Sequence, residues 1–145
     1  MSTSAVLLQP RSTSADADQH PALSLTTDHV AGISALRRHV VETLEAFGCT
    51  EDLVDTAALL ATELLSNALT HADTGSAPCA VRLEVYWNGY DLTIAVTDAD
   101  PRLPVARASG ADEEHGRGLA LVDALAACWG TIPLPNGKTV WCILG

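Results

Sequence analysis

Apolar positions along the chain follow two periods and switch between them. Val30, Ile33, Leu36, Val40, Val41 and Leu44 recur at helical steps, with Arg37, Arg38 and Glu42 between them. That spacing places one apolar stripe on a helix. Asp28 stands before the stretch as an N-cap candidate and Gly48 after it as a terminator, so a helix is expected over residues 28–47. A short strand is expected just ahead, over 22–26. Thr50-Glu51-Asp52 opens a second helix, expected over 51–72. It is apolar around so much of its circumference that it must pack on more than one side.

After a polar loop at 73–78 the period drops to two. Cys79, Val81, Leu83 and Val85 alternate with Ala80, Arg82, Glu84 and Tyr86. Asn88-Gly89 signals a hairpin with a two-residue type I′ turn. That turn pairs Trp87 with Tyr90, hence 85 with 92, 83 with 94 and 81 with 96, and the apolar faces coincide. Residues 100–115 are polar and hold two prolines, the mark of a functional loop or lid. Gly116-Arg117-Gly118 leads into a helix over 119–129, a turn follows at 134–137, and a last strand covers 138–144. The order is strand, two helices, hairpin, lid, helix, two strands. It predicts an α+β two-layer sandwich with helices on one face of a mixed, mainly antiparallel sheet. Residues 1–20 lack periodicity and read as a disordered leader, leaving one domain over 21–145.

Composition fits a globular domain of 145 residues, 48% hydrophobic and 18% charged. Net charge is −10, so neither nucleic acid nor an anionic membrane is an expected partner. A small anionic ligand is still compatible, because backbone N–H groups, a helix N-terminus and a metal ion can hold one locally. A partner protein with a basic surface would also suit the charge. The four cysteines, Cys49, Cys79, Cys128 and Cys142, form no CxxC pair, which argues against zinc. Cys79 and Cys142 read as buried free thiols. No signal peptide and no apolar run of membrane-spanning length is present, so a soluble cytoplasmic protein is expected.

Few residues carry candidate chemistry. Glu63, Asn67 and His71 stand at i, i+4 and i+8 on the second helix and form one polar stripe. It is either a solvated face or a site, where an amide oxygen could ligate Mg²⁺ and a carboxylate act as a base. Asp98 shares the parity of Leu92, Ile94 and Val96 and so points to the buried face. A buried carboxylate needs a donor. That donor is a structural partner, such as a loop N–H or an arginine, or else a ligand N–H such as the exocyclic amine of adenine. Gly116-x-Gly118 at a helix start suits phosphate but also suits an ordinary helix start. Gly137-Lys138-Thr139 is not a P-loop: the upstream glycine is missing and a strand follows.

Taken in order, these pieces resemble the GHKL ATPase superfamily, and within it the anti-sigma-factor serine/threonine kinase branch with a histidine-kinase-like ATPase domain. The resemblance covers roughly residues 21–145. ATELLSNALTHA resembles the N-box, VTDADPRLP stands in place of the first glycine box, HGRGLALVDALAACWG resembles the second, and GKTVW the closing strand. It implies the Bergerat sandwich, with ATP between the helical layer and a lid. On this sequence it implies Glu63 as general base, Asn67 as the Mg²⁺ ligand, and Asp98 as acceptor for the adenine amine. Gly116, Arg117, Gly118 and Leu119 would line the lid end and phosphates, Thr139 would stand near the adenine beside Asp98, and His71 would line the pocket edge. The implied partners are a sigma factor and/or an anti-sigma antagonist protein, and the related regulators suggest a homodimer. One departure stands out. The usual D-x-G-x-G is here Asp98-Ala99-Asp100-Pro101-Arg102, without either glycine. Arg102, Arg107 and Arg117 are all candidates to meet the transferring phosphate. The altered loop keeps a second expectation open, a non-catalytic binding module that uses ATP structurally or not at all.

Overall fold

The computed structural model describes residues 20–72, 80–99 and 114–145, with the side chains of 70–72 and 114–118 excepted. The expected leader (save His20), the 73–78 loop with Cys79, and most of the 100–115 segment lie outside the described residues.

Strand β1 covers Leu23–Thr27. The first helix does not start at Asp28. Thr27 Oγ1 and His29 fold the chain locally, and His29 Nδ1 accepts from Ala31 N at 3.0 Å. His29 therefore caps a 3₁₀ turn, Val30–Gly32, ahead of α1, Ile33–Ala46. Leu36, Val40 and Leu44 point inward, whereas Val30 is 58% exposed. Helix α1 ends as expected at Gly48, whose φ is +80°. Gly48 N donates to Glu45 O and Cys49 N to Leu44 O, the paired bonds of a Schellman cap. Thr50 Oγ1 then accepts from Leu53 N and starts α2, Glu51–Ala72, at the expected limits.

Strands β2 (Val81–Trp87) and β3 (Leu92–Asp98) form the hairpin. Its register is two residues from the expected one: Trp87 pairs with Leu92 and Val85 with Ile94. The cause is Asn88. Its Oδ1 accepts from both Tyr90 N and Asp91 N at 2.8 Å, which widens the connection to residues 88–91. A shift of two preserves parity, so the same side chains stay buried. Helix α3 covers Glu114–Leu125, not 119–129; it starts earlier, and Cys128 and Trp129 belong to β4, Cys128–Leu134. Trp129 Nε1 donates to Asp123 Oδ1 at 2.9 Å across that junction. Strand β5, Gly137–Leu144, completes the sheet.

The sheet order is β1-β2-β3-β5-β4, and every pairing among the described strands is antiparallel rather than mixed. The core lies between this sheet and the helices. Leu60, Leu65, Leu83, Leu92, Ile94 and Val122 are fully buried there. Helix α2 packs on α1, α3 and the central strands, which explains why it is apolar on several sides. Among the described residues no helix is long and apolar enough to cross a membrane.

Candidate nucleotide site

Two layers meet at the C-terminal end of β3. Helix α2 crosses the sheet there and α3 lies beside it. Between them is a cavity lined by Leu64, Asn67 and Ala68 of α2, Leu119 of α3, Val96 and Asp98 of β3, and Lys138 and Val140 of β5. It holds about 320 Å³ of free space counting its open mouth, with room inside for a water or two (20 Å³). The lining is apolar except for three side chains: an amide, a carboxylate and an ammonium.

Asp98 stands where strand parity puts it, on the core face, with its side chain 1% exposed. A donor for it comes from a residue that sequence reasoning passed over. Lys138 sits directly across β3–β5 in the register. Its Nζ donates to Asp98 Oδ1 at 3.1 Å, and its own side chain is 3% exposed. So a structural partner exists, and among the described residues the lysine Lys138 is one such donor. The signal was present in β5: Lys138, Val140, Cys142 and Leu144 share one parity, so a strand with that apolar face must bury its lysine. Gly137 makes the approach possible. A Cβ there would come within 2.8 Å of Ala99 Cα and still closer to the Asp98 carbonyl.

Parity also corrects the placement of Thr139. It pairs with Thr97, and the two hydroxyls meet at 2.7 Å on the sheet face turned away from the helices. The position beside Asp98 in the cavity belongs to Lys138. An open groove, with about 880 Å³ of free space counting its open mouth, lies toward that other face, bordered by Thr26, Arg82, Thr97, Asp98 and the turn residues Pro135 and Asn136. It includes none of the α2 residues.

Asn67 and Glu63 lie one turn apart on α2 and are both half-buried. Asn67 lines the cavity with Asp98; Glu63 does not. His71 lies in the last turn of α2, and its side chain is outside the described residues. Because α3 begins at Glu114, Gly116, Arg117 and Gly118 lie within its first turns rather than ahead of it. Leu119 is buried and lines the cavity. Arg102 and Arg107 lie outside the described residues. Sequence reasoning did not single out Leu64, Ala68, Val96 and Val140, which are ordinary core residues by pattern and become lining only through the packing.

The donor set fits a nucleotide. A buried carboxylate can accept from a base amine, five aliphatic side chains can hold a ring, and Asn67 supplies an amide oxygen at the edge. Among the described residues no group of three or more His, Cys, Asp or Glu could hold a metal by itself. Mg²⁺ bound with phosphates does not need such a group, since it takes few protein ligands.

Comparison with known proteins agrees. A family model for the histidine kinase-like ATPase domain matches residues 26–142. An uncharacterised protein of Streptomyces coelicolor is 40% identical over 83 residues, 56% of this chain and 77% of that protein. The solved structure of the RsbU and RsbW domains of Rv1364c from Mycobacterium tuberculosis superposes with a TM-score of 0.58 at 16% identity, over 84% of this chain. The chain spans about a third (32%) of that protein's length, and the likeness concerns the fold. The matched span takes in all of α1, α2 and α3, all of β2, β3 and β4, and nearly all of β5, together with the cavity between them, and the chain belongs to the histidine kinase-like ATPase family.

Proposed function

We propose that the chain is an ATP-binding regulator of the anti-sigma-factor kinase type, which transfers phosphate to a serine or threonine of a small antagonist protein and/or sequesters a sigma factor. One observation carries this reading: Asp98 and Asn67, far apart in sequence, line a single cavity between α2, α3 and the sheet. The family supports ATP as the ligand. The solved neighbour, which contains an RsbW domain, supports the regulatory class. ATP supplies the phosphoryl group, and Mg²⁺ would neutralise its charge. In this role Asp98 receives the adenine amine, the aliphatic lining excludes water from the ring, and Asn67 offers its amide oxygen to the metal. Glu63, one turn away, accepts the proton of the attacking hydroxyl. Gly116, Arg117 and Gly118 in the first turns of α3 would meet the phosphates near the positive end of the helix dipole, while Leu119 lines the ring.

Calorimetry with Mg-ATP tests the binding half. Asp98→Asn and Asn67→Ala should each weaken binding at least tenfold, and binding indifferent to both would remove the site from this cavity. Transfer from labelled ATP to candidate partner proteins tests the kinase half. Label that never appears on a partner, or that persists in Glu63→Ala, defeats it. The ion pair already made by Asp98 favours a second reading, a binding module that works without turnover. It predicts that a partner is captured equally well with and without Mg-ATP.

A further inference from the structure

The chain has a single lysine, and that lysine is buried. Lys138 Nζ lies 3.1 Å from Asp98 Oδ1, with the two side chains 3% and 1% exposed. An ion pair of this kind is a weak source of stability, because desolvating two charges offsets most of their attraction. Its position gives it another consequence. Both partners line the cavity in which a base would meet Asp98, and the remaining lining, apart from Asn67, is aliphatic. The enclosed interior has room for a water or two, not for a base.

We propose that Lys138 is an internal competitor for the base subsite: its ammonium holds the carboxylate that a nucleotide's amine must reach, so nucleotide affinity is set by displacement of this side chain. The inference rests on the reading of this cavity as the nucleotide site. With the lysine in place, a donor from solvent has no open path to a carboxylate that is 1% exposed. Val96 and Val140 are held by the central strands, and Leu64 and Ala68 by α2. Lys138 is the lining residue with a long, flexible stem, able to leave without moving the backbone. The exchange is uneven. A neutral amine replaces an ammonium on the carboxylate, and the displaced ammonium must find new acceptors. Binding therefore carries a penalty that a short neutral residue at 138 would remove.

Two measurements test this. Calorimetry with Mg-ATP should show Lys138→Thr binding at least tenfold more tightly than the unaltered chain, with the gain lost in Lys138→Thr/Asp98→Asn. Biosynthetic labelling with ε-¹³C-lysine gives one NMR signal from the unaltered chain, since there is only one lysine, and needs no variant. Saturating Mg-ATP should move that signal toward the position of a solvent-exposed lysine. ATP binding with the lysine signal unmoved overturns the competition and leaves the nucleotide site intact. So does a folded Lys138→Thr protein that binds ATP no tighter. If neither protein binds Mg-ATP, the nucleotide reading falls and this inference falls with it. Binding by Lys138→Thr alone is the strongest form of the expected result. Should Lys138→Thr fail to fold, the lysine signal of the unaltered chain decides.

Discussion

Removing the two halves of the Asp98–Lys138 pair singly and together should give very unequal losses of stability. At 3.1 Å, two unit charges attract by about 5 kcal/mol at an effective dielectric constant near 20. Burying each ion costs several kcal/mol, so the pair as a whole is close to neutral. Taking away one partner leaves the other charge buried without that compensation, a loss of about 3–5 kcal/mol. Lys138→Met keeps the length of the stem, and Asp98→Val keeps the strand. Each alone should cost about 3–5 kcal/mol, whereas the double variant should lie within about 1.5 kcal/mol of the unaltered chain. Both residues also have other interactions, which each single variant disturbs. The coupling term of the cycle isolates the pair from these, and it should reach about 3 kcal/mol or more. Urea unfolding followed by circular dichroism supplies the four stabilities, provided the m-values agree. Single losses below about 1 kcal/mol that simply add in the double variant would show that the pair is solvated, and the buried polar cavity would be wrong.

Other consequences are independent of the ion pair. Leu65, fully buried on α2, should cost about 2–5 kcal/mol as Leu65→Ala, while Leu59→Ala, 38% exposed on the same helix, should stay within about 0.5 kcal/mol in the same urea assay. Asn88→Ala removes the acceptor of two backbone N–H groups in the β2–β3 connection and should cost about 1 kcal/mol by thermal unfolding. Gly137→Ala drives a Cβ into the backbone at Asp98 and Ala99, so it should cost about 2 kcal/mol or more and also weaken Mg-ATP binding. Burial pushes the Cys142 thiol up to about 12, from an ordinary value of 9. A folded-state value above the unfolded one stabilises the fold fully below pH 9, and that contribution fades as pH rises toward 12. Native protein at pH 8 should therefore leave Cys142 unlabelled by a thiol reagent, and labelling there without unfolding would contradict its burial.

How far the sequence could be read depended on the kind of signal. Helix α2 was legible to the residue because Thr50 caps it and its apolar positions persist for 22 residues. The buried face of β3, and with it Asp98, followed from parity alone. The hairpin register did not, because it depends on Asn88 Oδ1 accepting two backbone N–H groups, a local choice that Asn-Gly does not fix. The start of α1 was misplaced for a similar reason: Asp28 and His29 are both able to cap, and the Thr27 hydroxyl decides between them. The α3–β4 boundary failed because Ala126, Ala127, Cys128 and Trp129 are apolar without a period, and Trp129 turns back to Asp123 across it. In the cavity, Asn67 and Asp98 were legible as polar residues in apolar surroundings. Lys138 was hidden because Gly-Lys-Thr resembles the end of a phosphate loop, while parity alone puts Lys138 on the core face and Thr139 on the other.

Two features of this chain bear on the same site. The glycines expected after Asp98 are absent from the sequence, and the carboxylate itself is ion-paired. A cavity merely closed to ligands needs no charges, since aliphatic residues would fill it at no desolvation cost. This one instead holds a carboxylate and an ammonium against each other. Asn67 remains at its edge and Glu63 one turn away on α2. A site built in this way can be gated, because whatever draws the ammonium off Asp98 exposes an acceptor that is already positioned. On the proposed reading, base binding would require Lys138 to leave, whereas proton transfer would run through Glu63. Lys138→Thr should change affinity for Mg-ATP without changing the dependence of phosphoryl transfer on Glu63, and Glu63→Ala should do the reverse.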